Sequence, residues 1–130
     1  MSKQIIKTIH APAPIGPYSQ AVKTGNLIFI SGQIALDPAT GELRNKDIEE
    51  EAGQVMKNIS AILKEAGAGF EHIVKTTIFL SDMSLFAQVN EIYGKYFSGE
   101  GSTDFPARET VDVKGLPKNV NVEISVTAAL

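Results

Sequence analysis

The segment Val120-Asn121-Val122-Glu123-Ile124-Ser125-Val126-Thr127 alternates strictly between apolar and polar side chains. A period of two residues is typical of a β-strand with one apolar and one polar face. Glu123 is the only carboxylate on the polar face. The segment therefore predicts a strand that turns one face to a core and presents a single acid on the other.

A second strand is predicted just upstream, in Phe105-Pro106-Ala107-Arg108-Glu109-Thr110-Val111. Pro106 fixes its φ at about −65° and cannot donate to a strand ladder, so it interrupts the chain ahead of Arg108. Arg108 is then expected at the mouth of a strand, where its fork of donors suits one planar carboxylate. From spacing alone, an ordinary surface ion pair between Arg108 and Glu123 is an equally good interpretation.

Length and composition predict one soluble globular domain over residues 1–130. Hydrophobic residues make up 43% of the chain, the net charge is −3 and Cys is absent, so disulfides, thiolate nucleophiles and Cys-based zinc sites are excluded. No basic run favours nucleic-acid binding, and no apolar run approaches the ~20 residues that span a membrane. Residues 1–7 lack the apolar core of a signal peptide, and we expect a cytoplasmic protein.

Three strands are predicted in the N-terminal part of the chain. Ile5–Ile9 has the pattern of a short edge strand, and Ala21–Thr24 and Leu27–Ser31 form a hairpin around Gly25-Asn26. The segment from Ala11 to Tyr18 is too rich in Pro to be a helix or a central strand, which indicates an ordered loop.

Two positions beside this hairpin are candidates for contact with a ligand. Tyr18 has a ring and a hydroxyl that suit a half-buried site, although a Tyr that caps the edge of a core is the commoner case. Gly32, in Ser31-Gly32-Gln33, lets another backbone or a ligand come close, and a simple β-bulge explains it equally well.

Two amphipathic helices are predicted, and the first has clear caps. Asp47 is its N-cap, Glu50 occupies the capping-box position and Gly67 supplies the C′ residue. Glu49, Glu50 and Glu51 lie at the positive end of the helix dipole. We interpret these acids as a dipole complement on the solvent face and not as a metal site.

The second helix is predicted to open at Asp82, with an apolar arc that runs from Leu85 to Phe97. Asn90 falls just beyond the edge of that arc, where a boundary residue is favoured over a group pointed at a ligand. Between the helices, Ile73–Leu80 is apolar on both faces, as expected in the middle of a sheet. Ser98–Asp104 is predicted to be a polar loop.

The resulting order β, β, β, α, β, α, β, β predicts an α+β fold, with a single, mostly antiparallel sheet and both helices packed on one face. The other face would then be exposed and mixed in character. Faces of this kind commonly pack against copies of themselves, which indicates an oligomer.

Several short motifs occur in an order and spacing that resemble one known family. They are Ile15-Gly16-Pro17-Tyr18-Ser19-Gln20, Ser31-Gly32-Gln33, the Asn90 helix, Phe105-Pro106-Ala107-Arg108, and Leu116-Pro117-Lys118 through Val122-Glu123-Ile124. Together they cover nearly the whole chain and resemble the RidA (YjgF-type) family of imine and enamine deaminases. The resemblance implies a fold similar to trimeric bacterial chorismate mutase, and a homotrimer with sites in the clefts between subunits.

The resemblance also implies a reaction and a set of residues. Short 2-imino acids and 2-aminoacrylate-type enamines, released by pyridoxal-phosphate enzymes, would be hydrolysed to 2-keto acids and ammonia. Arg108 matches the arginine that binds the substrate carboxylate, and Glu123 matches the acid that helps to hold the attacking water. The remaining matches are polar or small groups around the pocket: Tyr18, Ser31, Gly32 and Asn90.

One position departs from the family pattern, because many members have Cys where this chain has Thr110. If the backbone carbonyl of that residue orients the water, Thr serves equally well, whereas any role of a thiol is lost. His10 and His72 are too isolated for a metal site, and the implied reaction requires no cofactor.

Two functions from other classes remain open. A non-catalytic trimeric sensor could bind small 2-keto or carboxylic acids through Arg108, but carboxylate binding gains nothing from a second anion such as Glu123. A role as an RNA-directed endoribonuclease or translation regulator, attributed to some family members, is disfavoured by the net charge of −3.

Overall fold

The computed structural model describes residues 2–97 and 104–130, so the predicted loop Ser98–Asp104 lies outside the described residues except for Asp104. The strands are β1 (Gln4–Ile6), β2 (Ala21–Thr24), β3 (Leu27–Gln33), β4 (Ile73–Leu80), β5 (Ala107–Asp112) and β6 (Val122–Ala129), and the α-helices are α1 (Ile48–Glu65) and α2 (Phe86–Gly94). The strands form one sheet in the order β1-β2-β3-β6-β4-β5. Only β4 and β5 pair in parallel, which confirms a mostly antiparallel α+β fold.

Strand β6 lies inside the sheet, between β3 and β4. Val122, Ile124 and Val126 are buried, and the polar residues between them are only partly exposed, so the alternation predicted for this segment is confirmed. On the buried face Val122 pairs with Leu80 and Ile124 pairs with Ile78. Both helices cover this face, and their apolar residues complete a single main core with it.

Helix α1 begins and ends as its caps predict. The Asp47 side chain accepts a hydrogen bond from the Glu50 N–H (2.8 Å), and Gly67 has a φ of 79°. The Glu50 carboxylate reaches one residue further back than in a standard capping box and accepts from the Lys46 N–H (3.0 Å). Local capping chemistry therefore fixes the first turn of the helix, which lies close to the start of β6.

Several predicted element ends differ from the structure, and at two of them a polar side chain decides the boundary. Strand β1 stops at Ile6 because the Gln20 side chain binds both backbone groups of Thr8. The side-chain oxygen of Gln20 accepts from the Thr8 N–H (2.7 Å), and the side-chain nitrogen donates to the Thr8 carbonyl (3.0 Å). Helix α2 starts at Phe86 and not after Asp82. The Asp82 carboxylate accepts from the Ser84 N–H (2.8 Å), which favours a tight 3₁₀ turn at Met83–Leu85.

The second face of the sheet is open in a single chain. Strand β4 lies within the sheet as predicted, but only one of its faces is covered, and Val74 is exposed. Leu27, Phe29 and Val111 are exposed apolar residues of the same sheet. Among residues 2–97 and 104–130, no helix is long and apolar enough to cross a membrane.

Candidate functional site

The two residues on which the predicted chemistry depends lie on opposite faces of the sheet. Arg108 pairs with Thr76, which is buried under the helices, whereas Glu123 pairs with Phe79 on the open face. Successive strand residues point to opposite faces, so these side chains diverge within one chain. No ion pair joins Arg108 and Glu123 in the described parts of the chain, so the simple surface pair is excluded.

The arginine half-site is a depression of about 450 Å³ at the edge strand β5. Its lining residues are Asn90, Tyr93, Gly94, Phe105, Pro106 and Arg108. The Nη1 group of Arg108 donates to the Asn90 side-chain oxygen (2.7 Å). The guanidinium carbon lies 5.2 Å from the centre of the Tyr93 ring and 5.6 Å from that of Phe86. Asn90 is thus satisfied by Arg108, as a boundary residue would be, and a contact of Asn90 with a ligand stays a prediction.

Helix α2 holds the guanidinium by its own periodicity. Phe86, Asn90 and Tyr93 are spaced i, i+4, i+7, so they lie on one face of the helix, above Arg108. The Tyr93 hydroxyl donates to the Thr76 hydroxyl oxygen (2.9 Å) and is anchored on β4. Burial raises the pKa of Tyr93, while the Thr76 hydrogen bond and the Arg108 charge oppose that shift. The ring of Tyr93 therefore faces the cation, and Asn90 accepts from one nitrogen of the guanidinium.

The glutamate half-site is a smaller pocket on the open face. Its lining residues are Pro12, Ala13, Ile15, Tyr18, Gln20, Gly32, Gln33, Ile34, Leu36, Pro117 and Glu123. Its volume of about 50 Å³ is enough for a water molecule and too small for a substrate. Burial raises the pKa of Glu123 above the ordinary value of 4.5. The described residues provide no salt bridge to its carboxylate, so nothing offsets that desolvation by charge.

Gly32 makes room for Glu123. The register between β3 and β6 jumps from Ile30↔Val126 to Gln33↔Ile124, so Ser31 and Gly32 form a bulge opposite one residue. A Cβ on Gly32 would lie 2.9 Å from Cδ of Glu123, closer than such atoms approach in proteins. The predicted bulge is confirmed, and the group that approaches Gly32 is the side chain of Glu123, so a contact between Gly32 and a ligand stays a prediction.

Ser31 and Tyr18 shape the loop that closes the glutamate half-site. The Ser31 hydroxyl donates to the Ser19 carbonyl (2.6 Å), and its N–H donates to the Gln20 carbonyl (3.0 Å). The Tyr18 hydroxyl accepts from the Ile15 N–H (3.4 Å), and the side chain, 48% exposed, lines the pocket. Ser31 contributes to the site as an anchor of this loop, while Tyr18 borders the cavity directly.

Gln20 is a residue of this region whose role the sequence did not indicate. Its buried amide donates to the carbonyls of Thr8 (3.0 Å), Ala11 (3.2 Å) and Pro12 (2.9 Å) and accepts from the Thr8 N–H (2.7 Å). These bonds fix the Pro-rich loop, whose prolines cannot donate hydrogen bonds themselves. Gln20 belongs to a motif already noted, but only the folded loop reveals its partners.

The interpretation of Glu51 as a solvent-facing residue is wrong, because its side chain is completely buried. Its carboxylate accepts from the N–H groups of Asn121 (2.7 Å) and Val122 (3.1 Å) and from the Asn121 amide (3.0 Å). The first turn of α1 lies against the start of β6, which supplies these donors. Glu49 is exposed as predicted and Glu50 is partly exposed.

Thr110 lies two residues beyond Arg108 on the same strand, so it faces the helix side of the sheet with the arginine half-site. Its hydroxyl oxygen is buried and has no hydrogen-bond partner within residues 2–97 and 104–130. The role of Thr110 in the site, through its hydroxyl or its backbone carbonyl, stays a prediction.

Known proteins share this fold over nearly the whole chain. The structure of Escherichia coli TdcF with bound serine superposes with a TM-score of 0.91, at 40% identity over 98% of each chain. The fold is thus that of the YjgF and RidA proteins, whose names other structural neighbours carry. The chain belongs to the endoribonuclease L-PSP family, whose model matches residues 8–130.

Two curated relatives indicate the range of names within this family. A RutC family protein of Pyrococcus abyssi is 51% identical over 98% of both chains. The 2-iminobutanoate/2-iminopropanoate deaminase of mouse is 48% identical over 97% of this chain and 90% of its own length. The resemblance drawn from the sequence motifs is confirmed, and the family includes named reactive-imine deaminases.

Proposed function

We propose that this protein hydrolyses short 2-imino acids, and the 2-aminoacrylate-type enamines that interconvert with them, to 2-keto acids and ammonia. The observation that carries the proposal is the desolvated Glu123 carboxylate, which stands beside a water-sized pocket with no cationic partner among the described residues. A raised pKa suits a group that accepts a proton from water near neutral pH. The relative named as an imine deaminase supports the same chemistry.

The reaction needs positioning more than activation, because an imine carbon is already electrophilic. Arg108 binds the substrate carboxylate and holds the carbon at a fixed distance from the water. Glu123 takes one proton as the water oxygen bonds to that carbon, and the imine nitrogen becomes the amine of a tetrahedral intermediate. Glu123 returns this proton to the nitrogen. The hydroxyl proton of the intermediate is then transferred through Glu123 to the same nitrogen as the C=O bond forms and the C–N bond breaks, which releases the keto acid and ammonia.

One chain cannot perform this reaction alone, because its half-sites lie on opposite faces of the sheet. We propose that the β5 edge of one copy lies against the glutamate half-site of the next. Head-to-tail contacts of this kind close into a ring, and the family resemblance favours a homotrimer. The exposed apolar residues on the open face, Phe29 among them, support such a contact.

The alternatives make different use of the same residues. A sensor of small carboxylic acids needs the arginine half-site but gains nothing from the Glu123 carboxylate. The family description names an endoribonuclease, yet the net charge of −3 offers little attraction for RNA. Imine hydrolysis is the function in which both half-sites have a role.

The direct test is release of keto acid and ammonia from an imine that a threonine or serine dehydratase generates in the assay. We expect the protein to accelerate release beyond spontaneous hydrolysis. Arg108→Lys keeps the charge but loses the bidentate fork, so capture of substrate should weaken. Release that is unchanged by the protein would contradict the proposal.

A further inference from the structure

The buried carboxylate of Glu51 has no place in the chemistry proposed above. The three hydrogen bonds that it accepts come from Asn121 and Val122, which immediately precede Glu123. None of the salt bridges within residues 2–97 and 104–130 involves Glu51, so N–H groups alone compensate for burial of the acid. A buried carboxylate is costly unless such bonds are complete, so this contact is sensitive to geometry.

The segment that Glu51 holds is one that needs support. Lys118 and Asn119 both have left-handed backbone conformations, with φ of 55° and 56°. Residues other than Gly adopt this conformation when the surroundings hold it in place. Ser81 also binds Asn121. Its backbone N–H donates to the Asn121 carbonyl (2.9 Å), and its hydroxyl donates to the side-chain oxygen of Asn121 (2.9 Å). Asn121 is therefore clamped between α1 and the end of β4.

We propose that Glu51 is a positioning residue for Glu123, which it acts on by fixing the start of β6. The proposal rests on the proposed function, because it assigns Glu51 to the water-activating half of that site. Glu123 fits against the bare face of Gly32, where a Cβ would lie 2.9 Å from its carboxyl carbon. A small displacement of Val122 would shift Glu123 away from Gly32 and move its carboxylate out of the pocket.

The first test compares Glu51→Ala with Glu49→Gln, which alters an exposed acid in the same helical turn. We expect Glu51→Ala to lower kcat by about tenfold or more and to change KM by less than about threefold, since Arg108 lies on the other face. The control variant should behave like the wild type. Wild-type kcat in folded Glu51→Ala would overturn the proposal.

A rescue experiment separates positioning from general damage to the fold. Asn121→Asp places two carboxylates face to face, so kcat should fall. The double variant Glu51→Gln/Asn121→Asp reverses donor and acceptor: the amide now at position 51 donates to the carboxylate now at position 121, and the amide oxygen accepts from the backbone N–H groups. We expect recovery of most of the wild-type kcat. A double variant no better than Asn121→Asp would contradict the positioning role.

The protonation of Glu123 provides a readout that needs no turnover. The carboxyl pKa, followed by NMR, should be above 4.5 in the wild type, fall toward that value in Glu51→Ala, and recover in the double variant. If the wild-type protein hydrolyses no imine, the proposed function fails, and this titration still decides the role of Glu51. A Glu123 titration identical in wild type and Glu51→Ala would overturn the proposal.

Discussion

At the scale of single residues, the desolvation of Glu123 links catalysis to stability. Its pKa is raised in the folded protein, so the native state binds this proton more tightly than the unfolded chain does. Native stability therefore falls as the pH rises from 4.5 through the raised value, because the folded protein then loses this proton from a buried carboxylate. In the proposed mechanism, this destabilised carboxylate is the base that activates water.

The first prediction follows from the raised pKa of Glu123. Activity should decline as the pH falls through the raised pKa, because a protonated Glu123 cannot accept a proton. Glu123→Gln should lose about 100-fold or more in kcat and the acidic limb of the pH profile with it. At neutral pH the variant should melt no lower than the wild type. Wild-type turnover by Glu123→Gln would contradict the role of Glu123 as the general base.

A second prediction concerns the space beside that carboxylate. Gly32→Ala inserts a Cβ against Glu123 and should push the carboxylate from its pocket, with a loss of about tenfold or more in kcat. Gly53→Ala is the matched control, since a Cβ there meets nothing within 4 Å. Gly53 lies inside α1, so Gly53→Ala should stabilise the protein by about 0.5–1 kcal/mol without a change in kcat. Thermal melts and steady-state kinetics of both variants decide the outcome.

The residue pattern alone left Arg108 and Glu123 open between a surface ion pair and a functional site, and the family resemblance supplied their predicted catalytic roles. Neither the pattern nor the resemblance predicted the residues that hold them in place. Glu51 was assigned to solvent because its partner lies 70 residues away, beyond any local pattern. Gln20 was missed for a similar reason, since its role depends on how a Pro-rich loop folds back on it.

At the scale of elements, α2 and β5 together hold Arg108, the proposed binding group for the substrate carboxylate. The helix contributes two rings and an amide to the guanidinium, which is held before any substrate arrives. Preorganisation reduces the ordering that binding would otherwise require.

A third prediction tests this contribution of the helix. Phe86→Leu keeps an apolar side chain but removes the ring face, a contact worth about 0.5–1 kcal/mol at exposed sites. We expect KM to rise by about two- to fivefold with little change in kcat. Phe70→Leu is the control, because Phe70 packs on Tyr96 and Phe97 and does not contact Arg108. Equal KM values for the wild type and Phe86→Leu would show that Phe86 does not contribute to substrate binding through Arg108.

The elements themselves were predictable where periodicity was strong. Helix α1 agrees with its pattern, and β4 has its predicted bounds but only one covered face. The C-terminal end of β1 and the N-terminal end of α2 differ from the prediction. Those ends are decided by Gln20 and Asp82, whose side chains compete for backbone groups. Competition of this kind leaves no signature in hydrophobic spacing.

At the scale of the whole molecule, the open sheet face requires an explanation beyond a single chain. The sequence predicted a mixed face and an oligomer, and Phe29 is indeed 45% exposed. What the sequence could not predict is that the two predicted catalytic groups point away from each other. That depends on the register of β5 and β6 against β4, which is set by tertiary pairing.

The most direct test of a site shared between copies is a mixture of two inactive variants, Arg108→Ala and Glu123→Gln, exchanged into common oligomers. If Arg108 comes from one copy and Glu123 from another, about half of the sites in a random mixture receive an intact Arg108. About half of those sites also receive an intact Glu123. The account therefore predicts imine hydrolysis at about a quarter of the wild-type rate, far above either parent. Activity no greater than that of the parents, in a sample that mass spectrometry shows to contain mixed oligomers, would contradict it.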